Sequence, residues 1–234
     1  MRCTHRVYAN YALGASSAGH YGESMQLYFA PLACSMATRI SLNEAGKEAE
    51  FVEVDQKTKK TMKGDDYLAI NPLGLVPALR TDDGEVVYEN AAILQYVAAR
   101  FPEAKLAPED AFGKTRLQQW LCFIGTELHK ALFVPVLDSK APEGARTYAM
   151  DKGLSRLDFL NTYLEGRDFL LGSFSVADAY LITVLTWSVA TPIDLAKWPA
   201  IDAYVNRLRQ RPSVARALAV EFPLYQAEVR RKAS

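Results

Sequence analysis

The patterning of this chain changes character once, and that change limits its possible folds more than any other feature. Between Met25 and Pro102, short runs with a two-residue apolar period alternate with runs of helical period. From about residue 111 onward every long pattern is helical. Period two marks a half-buried strand, and spacings of three and four mark a helix with one apolar face. An α/β unit is therefore followed by an all-α unit. We expect the domains to cover 25–105 and 111–234.

The α/β unit opens with an apolar alternation from Met25 that runs into Pro31, then a small-residue turn. A helical pattern begins at Cys34 and Ser35 and stops at Gly46. Glu50–Asp55 alternates again, so strand, helix and strand form a parallel βαβ unit with a right-handed crossover. The lysine run Lys57, Lys59, Lys60 and Lys63 reads as a solvated loop, and Asp65–Ile70 as a short helical piece. Leu73–Thr81 is a strand entered through Pro77. Asp82-Asp83-Gly84 is a hairpin signal, because such turns need positive φ. Glu85–Tyr88 pairs with the preceding strand, and a helix from Glu89-Asn90 ends at Phe101-Pro102. The order β-α-β-α-β-β-α is that of a thioredoxin-like domain, a mixed four-stranded sheet with helices on both faces.

In the helical unit, Leu117, Leu121, Ile124, Leu128 and Leu132 place an apolar stripe on one long helix over about 111–137. A second helix covers 143–165, with Leu154, Leu157, Leu160 and Leu164 apolar. Ser175-Val-Ala-Asp178 reads as a capping box for a helix that is apolar nearly all round, the expected centre of this unit.

Composition excludes several classes. Net charge is zero, with 27 basic and 27 acidic residues, so no basic patch announces a nucleic-acid or membrane-surface partner. No contiguous apolar run approaches the roughly 20 residues that span a bilayer. Three cysteines, Cys3, Cys34 and Cys122, make no disulfide framework and fit a reducing compartment. His5, His20 and His129 are scattered and show no metal-ligand spacing. Residues 1–24, rich in Gly, Ser, Ala and Tyr without a period, are expected to be a disordered extension ahead of Met25.

Two single residues and one helix stripe draw attention as chemistry. Cys34 stands at a helix start, where unpaired N–H groups and the helix dipole lower a thiol's pKa; the bland alternative is a small buried hydrophobe. Asn90 starts a helix that suits a carboxylate, although a simple N-cap also explains it. Cys122, Gly125, Thr126 and His129 share a stripe opposite the leucines, as the wall of a cleft does, whereas His129 alone reads as a surface residue.

A thioredoxin-like half followed by a helical half resembles the cytosolic glutathione S-transferases. Met25-Gln-Leu-Tyr-Phe-Ala-Pro-Leu-Ala-Cys-Ser35 resembles the opening of the bacterial beta class, which has cysteine where other classes use tyrosine or serine. Asn71-Pro-Leu-Gly-Leu-Val-Pro77 resembles the family's segment ending in a cis-proline. Tyr88-Glu-Asn-Ala-Ala-Ile93 resembles its γ-glutamyl-binding turn, Trp120–Lys130 a beta-class helix segment, and Gly172–Asp178 its capping motif.

The resemblance implies conjugation of glutathione, as co-substrate and without a cofactor, to hydrophobic electrophiles by a cytoplasmic homodimer. Its alternatives are glutathione-dependent disulfide reduction or peroxidase work through Cys34, and a non-catalytic binding protein of the same fold. By resemblance Cys34, Ser35 and His129 serve the glutathione sulfur, and Thr126 is a contact. Val76 and Pro77 offer a backbone edge for the peptide. Glu89 and Asn90 take the γ-glutamyl end, and Lys59 the glycyl carboxylate, with Lys57 and Lys60 competing for that register. The family commonly has asparagine at Cys122. The run Cys34-Ser-Met-Ala37 lacks a cysteine at the fourth position, which excludes dithiol exchange within a CxxC motif.

Overall fold

The computed structural model describes residues 24–233, so the expected N-terminal extension lies, Ser24 apart, outside the described residues, together with Cys3, His5 and His20. Strands β1 (Gln26–Phe29), β2 (Glu50–Asp55), β3 (Lys60–Thr61), β4 (Ala78–Arg80) and β5 (Val86–Tyr88) form one mixed sheet in the order β3-β2-β1-β4-β5. β1 and β2 are parallel; the other pairings are antiparallel. Helices α1 (Met36–Ala45) and α2 (Asn90–Arg100) belong to this part. The helical part contains α3 (Ala111–Leu137), α4 (Glu143–Leu164), α5 (Val176–Thr186), α6 (Pro199–Arg209) and α7 (Pro212–Ala233).

The fold class is the expected one, with two corrections to its strands. The sheet has five strands rather than four, because the lysine run is not all loop. Lys60 and Thr61 pair antiparallel with Asp55 and Val54. The strand expected over Leu73–Thr81 is only Ala78–Arg80. Upstream of it the backbone carbonyls go to side chains: Tyr67 Oη and Asn71 Nδ2 both donate to the Leu75 carbonyl, each at 2.7 Å. The hairpin turn is as expected, with Gly84 at φ 84° and Thr81 N–H bonded to the Glu85 carbonyl at 2.8 Å. The expected short helical piece is a single 3₁₀ turn, Tyr67–Ala69.

By length and composition α3 is long and apolar enough to cross a membrane, its best window reaching a mean hydropathy of 1.3. This is consistent with the absence of a contiguous apolar run, because the apolar residues are interrupted by Gly125, Thr126, Glu127, His129 and Lys130. Leu117, Leu121, Ile124, Leu128 and Leu132 are buried against the rest of the fold, which is the work that apolarity does in this structure. Over Ile124–Phe133 the helix is wound wide, with i to i+5 bonding such as Val134 N–H to the His129 carbonyl. Wide turns of this kind are concentrated at functional sites.

Helix α5 is buried from Val176 to Leu185 and forms the centre of the helical part. The Ser175–Asp178 capping pair is present, with Ser175 N–H and Oγ each 2.9 Å from Asp178 Oδ2. On α4, Leu157, Leu160 and Leu164 are buried as expected, but Leu154 is exposed; the neighbouring Gly153 supplies the contact with Leu132, where even a Cβ has no room.

Candidate active site

A cleft of about 450 Å³ opens between one end of the sheet and the wide turns of α3. Topology explains why its walls meet. The ends of β1, β2 and β5 and the start of β4 lie at the same edge of the sheet, so the turns after or before them converge. These turns deliver Ala33 and Cys34, Gln56, Val76 and Pro77, and Glu89 and Asn90. The facing wall is Cys122, Gly125, Thr126, His129 and Lys130 of α3, closed by Tyr180 within α5 and Trp187 just past its end.

Cys34 lies in the tight turn just before α1, whose helical bonding begins with Met36 N–H to the Ala33 carbonyl. Its thiol is 8% exposed and donates to the Val76 carbonyl at 3.4 Å. Burial pushes the Cys34 pKa up to about 12, against the pull of the Lys130 charge. The sequence expectation of a lowered pKa is thus reversed: desolvation of the thiolate outweighs helix-start stabilisation. At neutral pH Cys34 is a protonated hydrogen-bond donor.

Val76–Pro77 is a cis peptide, and the Val76 N–H makes no hydrogen bond among the described residues. A free N–H beside a carbonyl whose bond is a weak one, from the Cys34 thiol, is the edge that an extended peptide pairs with. Glu89, exposed at φ 67°, takes the N-cap position that the sequence offered to Asn90, and Asn90 is the first helical residue. Asn90 is 5% exposed. Its Oδ1 accepts from Thr38, but Nδ2 has no hydrogen-bond partner, the Tyr180 oxygen nearby standing outside bonding geometry. An orphaned buried donor at a helix start is suited to a carboxylate.

His129 is buried, with Nδ1 2.7 Å from Tyr180 Oη and its ring edge-on to Trp187 at 4.9 Å. Burial, reinforced by the Lys130 charge, lowers its pKa to about 4, so the imidazole is neutral at pH 7. Burial also raises the Tyr180 pKa, keeping its hydroxyl protonated. We assign the Tyr180 O–H as donor to Nδ1, which leaves Nε2–H as a donor.

Two of the residues singled out in the sequence stand away from this wall. Ser35 is fully buried and its hydroxyl donates to the Ala30 carbonyl at 3.3 Å. Lys59, at φ 57°, folds back so that Nζ bonds the Gly74 carbonyl at 2.8 Å. Gln56 occupies the cleft at that end instead, and its Nε2 is buried without a partner. Gln56, Lys130, Tyr180 and Trp187 were missed in the sequence. A glutamine after a strand and a tyrosine inside an apolar helix carry no local signal; only Lys130, next to His129, stood within a quoted motif. Thr126 is at the rim, its Oγ1 donating to the Cys122 carbonyl at 3.0 Å, and Cys122 is exposed beside it. Among the described residues no three of His, Cys, Asp and Glu converge as a metal site.

Comparison with known proteins matches both parts of the chain to one family. Residues 33–100 match the family model for the glutathione S-transferase N-terminal domain, and 123–212 that for its C-terminal domain. The chain is 39% identical over 199 residues to the glutathione S-transferase GstA of Escherichia coli O157:H7, covering 84% of this chain and 98% of the relative. A crystal structure of a glutathione transferase from Methylococcus capsulatus is 46% identical, with a TM-score of 0.81 over 84% of this chain and 98% of that one. A sphingomonad glutathione S-transferase, solved in complex with glutathione, is 42% identical with a TM-score of 0.80 over the same shares.

Proposed function

The chain belongs to the glutathione S-transferase family, and from that premise we propose that it binds glutathione in the cleft at Cys34 and adds its sulfur to hydrophobic electrophiles. One observation carries this reading. Unpaired amide donors, Gln56 Nε2 and Asn90 Nδ2, flank the free Val76 N–H from opposite sides of the sheet. The span from the β2 end to the β5 end is three strand spacings, roughly 14 Å. An extended tripeptide covers about 10 Å of backbone, and two terminal carboxylates reach further. A peptide of glutathione's length, charged at both ends and with a thiol in the middle, fits that array.

In this reading the glycyl carboxylate meets Gln56, the cysteinyl peptide group pairs with Val76, and the γ-glutamyl carboxylate meets Asn90 and the start of α2. Glu89 pairs with the γ-glutamyl ammonium, and Thr126 contacts the peptide from α3. The sulfur then lies among three sources of positive potential: the Cys34 S–H, the His129 Nε2–H and the Lys130 ammonium. Each favours thiolate over thiol, so the glutathione proton leaves to solvent and the thiolate attacks the electrophile. The Cys34 S–H is released from the Val76 carbonyl once the cysteinyl peptide N–H takes that acceptor. Cys34 then works by donating a hydrogen bond, because a sulfur of such high pKa is a poor nucleophile at neutral pH. The electrophile sits toward Trp187 and Leu121. We assign residues 25–105 to glutathione binding and 111–234 to the electrophile side, and the working form to a cytoplasmic homodimer.

A paired assay tests the chemistry. With a chloronitrobenzene and glutathione, Cys34→Ala and His129→Ala each lower conjugation about tenfold, the value of one hydrogen bond to a charged sulfur. Reduction of a glutathione mixed disulfide that is lost in Cys34→Ala, with conjugation retained, instead assigns Cys34 a redox role. Wild type that neither conjugates nor is retained on glutathione resin sinks the proposal. A second test concerns the glycyl end. Gln56→Ala raises the KM for glutathione about tenfold, whereas Lys59→Ala raises it less than threefold; the opposite order returns the carboxylate to Lys59.

A further inference from the structure

The turn that presents Cys34 is held by a residue near the far end of the chain. Leu32 has φ 56°, in the left-handed region that a leucine avoids at a cost of roughly 1–2 kcal/mol. Both of its backbone polar groups are taken by side chains of the helical part. Glu221 Oε2 on α7 accepts the Leu32 N–H at 2.8 Å, and Trp187 Nε1 donates to the Leu32 carbonyl at 2.8 Å. Ala33 and Cys34 follow directly and line the cleft.

The other oxygen of Glu221 accepts from Arg39 Nε at 2.7 Å. Arg39 is 5% exposed and Glu221 fully buried, and the guanidinium lies 3.6 Å from the Phe51 ring centre and 4.6 Å from that of Phe29. Burial lowers the Arg39 pKa and raises that of Glu221, in both cases against the attraction of the partner. A buried ion pair exchanged for apolar residues of similar volume is often neutral or better, so stability alone does not require these two ions. What an apolar pair does not supply is an acceptor for Leu32.

We propose that Glu221 is a positioning residue of the glutathione site: by accepting the Leu32 N–H opposite Trp187, it holds the strained turn in the conformation that presents Cys34. This rests on the glutathione reading above. Without the acceptor the turn relaxes and only a fraction of molecules is competent to bind. The apparent affinity falls by that fraction, while the bound complex recovers the same geometry. The signature is therefore a change in KM with kcat retained.

Two variants separate the acceptor from the ion pair. Glu221→Gln keeps an oxygen for Leu32 but leaves Arg39 without its counter-charge; its melting temperature falls and its KM for glutathione stays within twofold of wild type. The double variant Arg39→Met/Glu221→Met keeps apolar packing and removes the acceptor. It melts near the wild-type temperature, its KM for glutathione rises about tenfold, the equivalent of one lost hydrogen bond to a charged group, and its kcat stays within threefold. A double variant with KM within twofold of wild type overturns the inference. So does a tenfold rise in Glu221→Gln, an arm that stands alone should the Met pair not fold. Wild type without glutathione-dependent activity overturns the glutathione reading itself, and this inference with it.

Discussion

Treated with a small disulfide reagent at pH 8, the protein is modified at Cys122 while Cys34 reacts about a hundredfold more slowly than an ordinary thiol. A thiol of pKa about 12 is one part in about ten thousand thiolate at that pH, against roughly a quarter for an unperturbed thiol. A thiolate of higher pKa is more nucleophilic, with a Brønsted slope of about 0.4–0.5, and this recovers a factor of about 40. The balance is about two orders of magnitude, before the 8% exposure of Cys34 slows access further. Cys122 is exposed in the same cleft and serves as the internal reference. Peptide mapping after timed quenching reads both sites. If Cys34 is labelled as fast as Cys122, its sulfur is activated, and hydrogen-bond donation gives way to a redox role.

The second large effect is structural. Asp178 is fully buried and accepts from four donors, all at 2.9 Å: Leu170 N–H, Ser175 N–H, Ser175 Oγ and Tyr204 Oη. Burial raises its pKa in spite of them. Asp178→Ala leaves all four without that acceptor, at about 1 kcal/mol or more apiece, a total of about 4 kcal/mol. For a chain of this size that lowers the melting temperature by roughly 10 °C. Ser175→Ala, which removes only the cap hydroxyl, costs about 1 kcal/mol. Thermal unfolding followed by circular dichroism compares them; equal losses reduce Asp178 to a helix cap.

The two cases also mark what was legible in the sequence. Local pattern announced α3 by its leucine spacing, α5 by its capping box and apolar run, and the hairpin at Gly84 by its turn residues, because each is set by residues a few positions apart. The capping box was visible as Ser175 and Asp178, but Leu170 and Tyr204 reach Asp178 from a loop and another helix, and no spacing rule relates them. Cys34 was found by position and misjudged in state. A helix start is a local property, whereas burial depends on Val76 and on α3, both distant in sequence. Lys59 was named by the family resemblance, while Gln56 three residues earlier was silent. In the structure Lys59, at positive φ, turns toward Gly74, while Gln56 lines the cleft. The fifth strand was hidden for a related reason: two residues carry no period.

The clamp on Leu32 has a consequence for how the protein comes into being. A ribosome releases the chain from its N-terminus, and domains tend to fold as they emerge. The sheet and its first helices are complete by residue 100, yet the acceptor for Leu32 is residue 221 and the donor to its carbonyl residue 187. A nascent or truncated chain ending before α7 therefore holds every residue assigned to glutathione while lacking the acceptor that sets the Cys34 turn. On the proposed clamp, full affinity for glutathione arrives only with the last helix, and a partly made chain binds it more weakly.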